Sequence, residues 1–276
     1  MNKAKALFFA ARPKTLPASL SPVFLGGKIA HLSGSFSPLI FSLTLLFALF
    51  IQIGANYAND YFDFCKGVDT SARTGPKRAV QQGWLSPGQM WHATLFAFAL
   101  ALLFATPLMW QAGLWSLAVA LLCILLGILY PGGPKPLGSL ALGELLVFFF
   151  FGPVALLGTY FLQTGHLTST ACLASLPPGL LSSCILIANN LRDFTTDMTS
   201  GKKTLIVRLG LPFGRHLFTL SLVSAFFFSL LLSPLLAIPF LLAPPLLFLL
   251  YSSRYLPLLP ATALFLSLYT LFFLGI

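Results

Sequence analysis

The sequence predicts an all-α integral membrane protein of about nine transmembrane helices, and three observations carry that expectation. The 276 residues are 57% hydrophobic and only 8% charged, with a mean hydropathy of +0.90, which excludes an ordinary soluble domain. Apolar runs of roughly 18–20 residues, enough to cross the hydrocarbon at about 1.5 Å per residue, recur along the chain. Threading those runs through a bilayer gathers nearly all the cations on one side.

The runs fall at approximately 15–33, 38–58, 88–108, 111–130, 139–162, 171–190, 214–232, 234–252 and 257–275. The first contains Pro17 and Pro22, which membrane helices tolerate. The basic start before it resembles a signal peptide but shows no small-residue cleavage site ahead of Pro22, so the segment is expected to be retained. Gly132–Pro134, after the fourth run, reads as a turn. The fifth run holds Phe148–Phe151. Four consecutive positions cover every side of a helix, so at least half of these rings are expected to face lipid or neighbouring helices.

With the N-terminus in the cytoplasm, Lys3, Lys5, Arg12 and Lys14 lie inside, and Lys66, Arg73, Lys77 and Arg78 follow after the second run. Lys135, then Arg192, Lys202, Lys203, Arg208 and Arg215, and finally Arg254 fall on the same side, leaving only Lys28 opposite. The topology rule accounts for most of the +10 net charge. Nucleic acid is therefore not an expected partner, and no obligate protein partner is evident. A multi-pass protein of the cytoplasmic (inner) membrane is expected. Cys65, Cys123, Cys172 and Cys184 are scattered, as are His31, His92, His166 and His216. The cysteines show no metal-ligand spacing and are read as small apolar residues; the isolated histidines are read as helix-end or interface residues, none of them catalytic.

The six acidic residues are distributed unevenly. Asp60, Asp63 and Asp69 lie in NYANDYFDFCKGVDT, and Asp193 and Asp197 in NNLRDFTTD, with Glu144 alone between them. An offset of 134 residues aligns Asn56 with Asn190, Asn59 with Asp193, Asp63 with Asp197, Gly67 with Gly201 and Thr70 with Thr204. That suggests a single membrane domain over 1–276 built from two four-helix repeats, approximately 15–130 and 139–252, plus a ninth helix. On a helix, 56, 59 or 60, and 63 share a face, as do 190, 193 and 197. Two facing columns of hard oxygens repel unless a cation lies between them. Arg73, Lys77, Arg78, Arg192, Lys202 and Lys203 stand nearby. Oxygens for Mg²⁺ beside guanidinium and ammonium groups suit a metal–diphosphate. Because neighbouring helical residues diverge by about 100°, Arg192 is expected to point away from Asp193 towards the diphosphate. Arg215 is expected to serve only as a topology anchor. For Asp69, a solvated loop charge competes with any metal role.

Spacing alone allows three chemistries: ionisation of an allylic diphosphate, CDP-alcohol phosphotransfer, and cation-coupled transport. The phosphotransferase Asp-Gly-x2-Ala-Arg run is missing, and cations beside the acids would oppose cation entry.

NYANDYFDFCKGVDT followed by TGPKRAV, with NNLRDFTTDMTSGKKTLIVRLG later, resembles the UbiA superfamily of membrane prenyltransferases. ARPKTLPASLSPVFLGG and YPGGPKPLGSLALGELLVFFFFGPVALLGTY are similar to its menaquinone branch, the 1,4-dihydroxy-2-naphthoate polyprenyltransferases. These blocks spread from Arg12 to Gly210. The resemblance implies a UbiA-type bundle of nine helices around a central cavity that opens sideways to lipid. It implies Asn56, Asn59, Asp60, Asp63, Asn190, Asp193 and Asp197 as Mg²⁺ ligands, direct or through water, with the four aspartates catalytic. Arg12, Arg78, Arg192 and Lys203 match diphosphate-holding positions. Tyr130 fits a family tyrosine, whereas its usual partner falls at Lys135 in GGPKP, a segment that varies. Polyprenyl diphosphate and a naphthoate acceptor are the implied substrates, with another aromatic acceptor, such as an isomeric dihydroxynaphthoate or 4-hydroxybenzoate, as the alternative. Glu144 has no spacing partner, and an orienting role for it stays open.

Overall fold

The computed structural model describes residues 1–67 and 77–276. Asp69, Thr70 and Arg73 lie outside the described residues. Those described are helical or loop, with no strand among them. A short helix α1 (Lys3–Ala10) precedes α2 (Leu16–Leu32), α3 (Pro38–Cys65) and α4 (Pro87–Ala112). Then come α5 (Leu114–Leu129), α6 (Gly143–Thr164), α7 (Ser169–Arg192) and the short α8 (Phe194–Thr199). α9 (Leu205–Leu232), the bent pair α10 (Pro234–Leu242 and Pro244–Tyr251) and α11 (Tyr255–Gly275) complete the chain.

Local chemistry explains where several of these start. Ser37 accepts from the Ile40 amide ahead of Pro38, and Ser86 with Gln89 forms a capping box ahead of Pro87. Thr204 accepts from the Val207 amide. Each side chain satisfies a donor that the first turn leaves open, and proline loses nothing at that position. Among the described residues six helices are long and apolar enough to cross a membrane, or seven if the pair bent by 42° counts as one span. The first and fourth windows form shorter helices of 17 and 16 residues, so the count of nine is not confirmed. α9 begins at Leu205, earlier than the expected 214, because a short helix joins the main one across a kink at Gly210 (φ 89°, ψ 165°).

α7 is the central helix, with 72% of its apolar window buried against 17% for α3. Its core includes Leu181, Cys184, Ile187 and Leu191, packed with Leu25 of α2, Phe218 of α9 and Leu266 of α11. A second cluster joins Ala6 and Ala10 of α1 to Tyr57, Val80, Leu85 and Met90, pinning the segment before α4 against α3. The outer surface is apolar: Trp110 is 88% exposed and Leu241 77%. So much apolar exposure suits a lipid-facing protein. Lys28, the one cation expected on the far side, donates to the Leu274 carbonyl (2.9 Å) at the end of α11, where a cation offsets the unsatisfied carbonyls.

α6 and α7 cross at glycine. A Cβ at Gly152 would lie 2.6 Å from the Ser175 carbonyl oxygen and 2.9 Å from the Gly179 Cα, so only glycine permits this approach. Gly152 sits in a π-helical turn, Phe150–Val154, that contains Pro153. Of the four phenylalanines, Phe150 and Phe151 line the central cavity, Phe149 is exposed and Phe148 abuts Gly179. The expected division of those rings therefore holds.

Candidate functional site

A cavity of about 430 Å³ lies between the ends of α3 and α7 and runs down between α5 and α6. At its polar end it is lined by Asn56 and Asn59 from α3 and by Asn189, Asn190, Asp193 and Asp197 from the second acidic window. Arg12, Arg78, Lys202 and Tyr130 join them. The remaining wall is apolar, including Phe47, Ile51, Val119, Leu126, Phe150 and Phe151. Trp115, Val119 and Phe161 line the cavity and are also exposed on the outer surface, so it opens sideways between α5 and α6.

All of the first column lies on one helix, but its members have different partners. Asn56 donates from Nδ2 to the Ala11 carbonyl (2.8 Å) and to Thr15 Oγ1 (3.4 Å). That tether fixes the turn in which Arg12 adopts a left-handed conformation (φ 52°), uncommon for a non-glycine residue, and the turn brings Arg12 to the cavity. Asp60 is 1% exposed and accepts from the Ala79 (2.9 Å) and Val80 (3.2 Å) amides. Asp63 pairs with Arg78 at 2.8 Å. Neither carboxylate is among the groups lining the cavity; they hold the segment that carries Arg78 into it.

The second column does not sit on one continuous helix. α7 ends at Arg192, Asp193 takes a non-helical conformation (φ −90°, ψ 7°), and α8 starts afresh. The Asp193 amide still keeps its helical bond to the Asn189 carbonyl (3.0 Å), so the two side chains leave the backbone in different directions, but the long Arg192 side chain does not point away. Instead Arg192 folds back and grips both Asp193 oxygens, Nε to Oδ1 at 2.8 Å and Nη2 to Oδ2 at 2.6 Å, while donating to Asn189 Oδ1 at 2.8 Å. Asp197 stands 3.9 Å from Lys202. Lys202 lines the cavity, whereas Lys203 is exposed and turned away from it. Gly201 (φ 74°) makes the turn that decides which lysine enters. Lys135 is exposed as well. Tyr130 packs against Gly138 and Gly143, where a Cβ would meet its ring at 3.1 Å and its hydroxyl at 2.9 Å. Lys66, just beyond α3, donates to the Pro131 carbonyl (2.7 Å). Burial lowers its pKa, with Asp63 opposing and Lys202 reinforcing the shift, so charges from both windows act on one place.

The donor set suits a hard divalent cation. Asn56, Asp60, Asp63, Asn190, Asp193 and Asp197 are all buried, and they offer carboxylate and amide oxygens. Among the described residues no three acid, histidine or cysteine groups come close enough to hold a metal by themselves. Amide oxygens and a substrate's phosphates would have to complete the shell, as Mg²⁺ prefers. Sequence reasoning missed Asn189 as a cavity residue and placed Lys203 where Lys202 stands. Glu144, which it left without a partner, accepts from Asn190 Nδ2 at 2.9 Å.

Comparison with known proteins agrees with this geometry. Residues 19–274 match the UbiA prenyltransferase family. The 1,4-dihydroxy-2-naphthoate octaprenyltransferase of Haemophilus influenzae is 38% identical over 222 residues, 78% of this chain and 72% of that one. Its counterpart from Mycobacterium tuberculosis is 41% identical over 203 residues, 72% of this chain and 68% of that one. Among solved structures, a UbiA homolog from Archaeoglobus fulgidus bound to GPP and Mg²⁺ superposes with a TM-score of 0.69 at 16% identity, covering 98% of this chain and 100% of that one. By fold and by sequence over most of its length, the chain belongs to the UbiA prenyltransferase family.

Proposed function

We propose that the chain transfers a polyprenyl group from its diphosphate to 1,4-dihydroxy-2-naphthoate, releasing diphosphate and CO₂ and giving the demethylmenaquinol of menaquinone biosynthesis. The observation that carries this reading is the two-ended cavity. Carboxylates, amides and cations crowd one end, and an apolar trough open to lipid forms the other. The relatives' names supply the acceptor. The site and the N-terminus face the cytoplasm, on the cation distribution.

Asn56 and Asn59 from one half, with Asn190, Asp193 and Asp197 from the other, line the cavity and would hold Mg²⁺ together with the diphosphate; Asp60 and Asp63, one and two turns along α3, would complete the set, directly or through water. Bound there, Mg²⁺ supplies Lewis-acid stabilisation of the charge that develops on the departing diphosphate. Arg78 and Arg192, which pair with Asp63 and Asp193 in the structure, would supply guanidinium donors to the phosphate oxygens. Arg12 and Lys202 line the same end and add charge-assisted donors. As the allylic C–O bond breaks, its electron pair leaves with the diphosphate. The ring carbon bearing the carboxylate attacks the cation; the C–CO₂ bond then breaks, and its electrons restore aromaticity. The apolar trough keeps out water that would otherwise capture the cation.

The test is a membrane preparation of the protein with Mg²⁺, a labelled polyprenyl diphosphate and a panel of aromatic acceptors. Label in a naphthol with matching CO₂ release is the expected result. Label in another acceptor alone would replace the naphthoate, and diphosphate-independent ion uptake would overturn the enzyme reading.

A further inference from the structure

The two asparagines that the 134-residue offset aligns, Asn56 and Asn190, are held by their nitrogen ends. Asn56 Nδ2 donates to the Ala11 carbonyl at 2.8 Å, and a carbonyl can only accept. Asn190 Nδ2 donates to Glu144 Oε1 at 2.9 Å, and an ionised carboxylate likewise only accepts. With each nitrogen committed to a fixed acceptor, the amide oxygen is left to face the cavity that both residues line. The two acceptors come from different parts of the fold, the α1–α2 turn and the first turn of α6. They leave the asparagines of the two repeats in the same orientation.

Glu144 is well placed to hold that orientation. It is 7% exposed and lies in the first turn of α6, where the helix dipole favours a negative charge. The Gly152–Gly179 contact draws α6 against α7. Ser183 fastens the same register by donating to the Glu144 main-chain carbonyl (3.1 Å). The carboxylate does not line the cavity, so it touches neither the diphosphate nor the acceptor.

We infer that Glu144 is a positioning residue: it fixes the Asn190 amide so that oxygen, not nitrogen, is offered to the divalent cation of the metal–diphosphate. This inference rests on the metal–diphosphate reading of the site. Without an acceptor-only partner, Asn190 can turn its NH₂ towards the cavity, which replaces a ligand with a group that repels a cation. Groups that orient metal ligands in this way typically change metal affinity about 10- to 100-fold when removed.

The experiment follows Mn²⁺ binding by its EPR signal, with inorganic diphosphate present, alongside thermal unfolding. Glu144→Met keeps side-chain volume but removes the acceptor. It should weaken Mn²⁺ binding by about 10- to 100-fold while the unfolding temperature holds or rises. Asn190→Asp places two carboxylates side by side and should bind Mn²⁺ poorly. Adding Glu144→Gln to it reverses the polarity of the pair, because the new amide donates to one Asp oxygen and leaves the other for the metal. The double variant should therefore regain affinity over the Asn190→Asp single variant. A packing role predicts a lowered unfolding temperature with unchanged Mn²⁺ affinity in Glu144→Met, and no recovery in the double variant; either result overturns the inference. Failure of the unaltered protein to bind Mn²⁺ with diphosphate would instead remove the reading beneath it.

Discussion

Arg192 is bound on both sides by side chains of the second window, and its removal has two separable consequences. In the structure its guanidinium makes three hydrogen bonds of 2.6–2.8 Å, two to Asp193 and one to Asn189, with both charged side chains 7% exposed. Removing one partner of a buried pair costs about 3–5 kcal/mol. The lower end applies here, because Asn189 Nδ2 still lies 3.4 Å from Asp193 Oδ2. Arg192→Ala should therefore be destabilised without metal. It should recover more than the unaltered protein when Mg²⁺ and diphosphate are added, since a bound cation replaces the lost guanidinium. The second consequence is kinetic. Losing a donor to charge that builds in the transition state costs on the order of 100- to 1,000-fold in rate, and Arg192→Lys should restore only part of it, since an ammonium lacks the planar fork. Arg215 is the control. It donates to Tyr255 Oη (2.8 Å) and Ser253 Oγ (2.9 Å) away from the cavity, so Arg215→Ala should lose about 0.5–1.5 kcal/mol of stability per bond and little rate. The assays are initial prenylation rates at saturating acceptor and thermal unfolding with and without Mg²⁺–diphosphate. Equal rate losses for the two alanine variants, or equal stabilisation of Arg192→Ala and the unaltered protein by metal, would refute this account of the pair.

Two further outcomes follow from placements that differ between neighbours. Lys202→Ala should raise the KM for the prenyl diphosphate well above that of Lys203→Ala, because only Lys202 lines the cavity; steady-state kinetics on the two variants decides it. Gly158 lines the trough, and a Cβ there meets nothing within 4 Å. It lies about 18 Å along α6 from Leu146, at 1.5 Å per residue. Gly158→Phe should slow transfer from long polyprenyl diphosphates while sparing short ones, and an equal effect on both lengths would show that the trough does not house the distal tail.

Much of the architecture is written in local pattern. Ser37-Pro38, Ser86-Pro87 and Thr204 announce their helices through caps that need only neighbouring residues, and the apolar windows fix where chain can meet lipid. That charge in so apolar a chain needs a partner pointed to both windows, and Asn56 and Asn59 of the first do line one cavity with Asn190, Asp193 and Asp197 of the second. What escaped depends on geometry that spacing does not carry. Helical periodicity could locate neither the end of α7 at Arg192 nor the folding back of the Arg192 side chain onto Asp193. A turn at Gly201 chose Lys202 over Lys203. The Glu144–Asn190 bond spans 46 positions and arises from a glycine crossing between two helices. The usable signal was chemical: a lone acid in an apolar run must find a polar group across the bundle, and the motif asparagine on α7 was one within reach.

The central claim is that the two acidic windows build one metal–diphosphate site. Its most direct test is a Mn²⁺ titration, with inorganic diphosphate present, of the unaltered protein and of Asp63→Ala and Asp197→Ala, each verified as folded and membrane-inserted. Asp63 and Asp197 lie 134 positions apart in the sequence, one in each window. The account predicts that each substitution alone abolishes diphosphate-dependent Mn²⁺ binding. Unaltered binding in either variant would show that one window holds the metal without the other, and would contradict it.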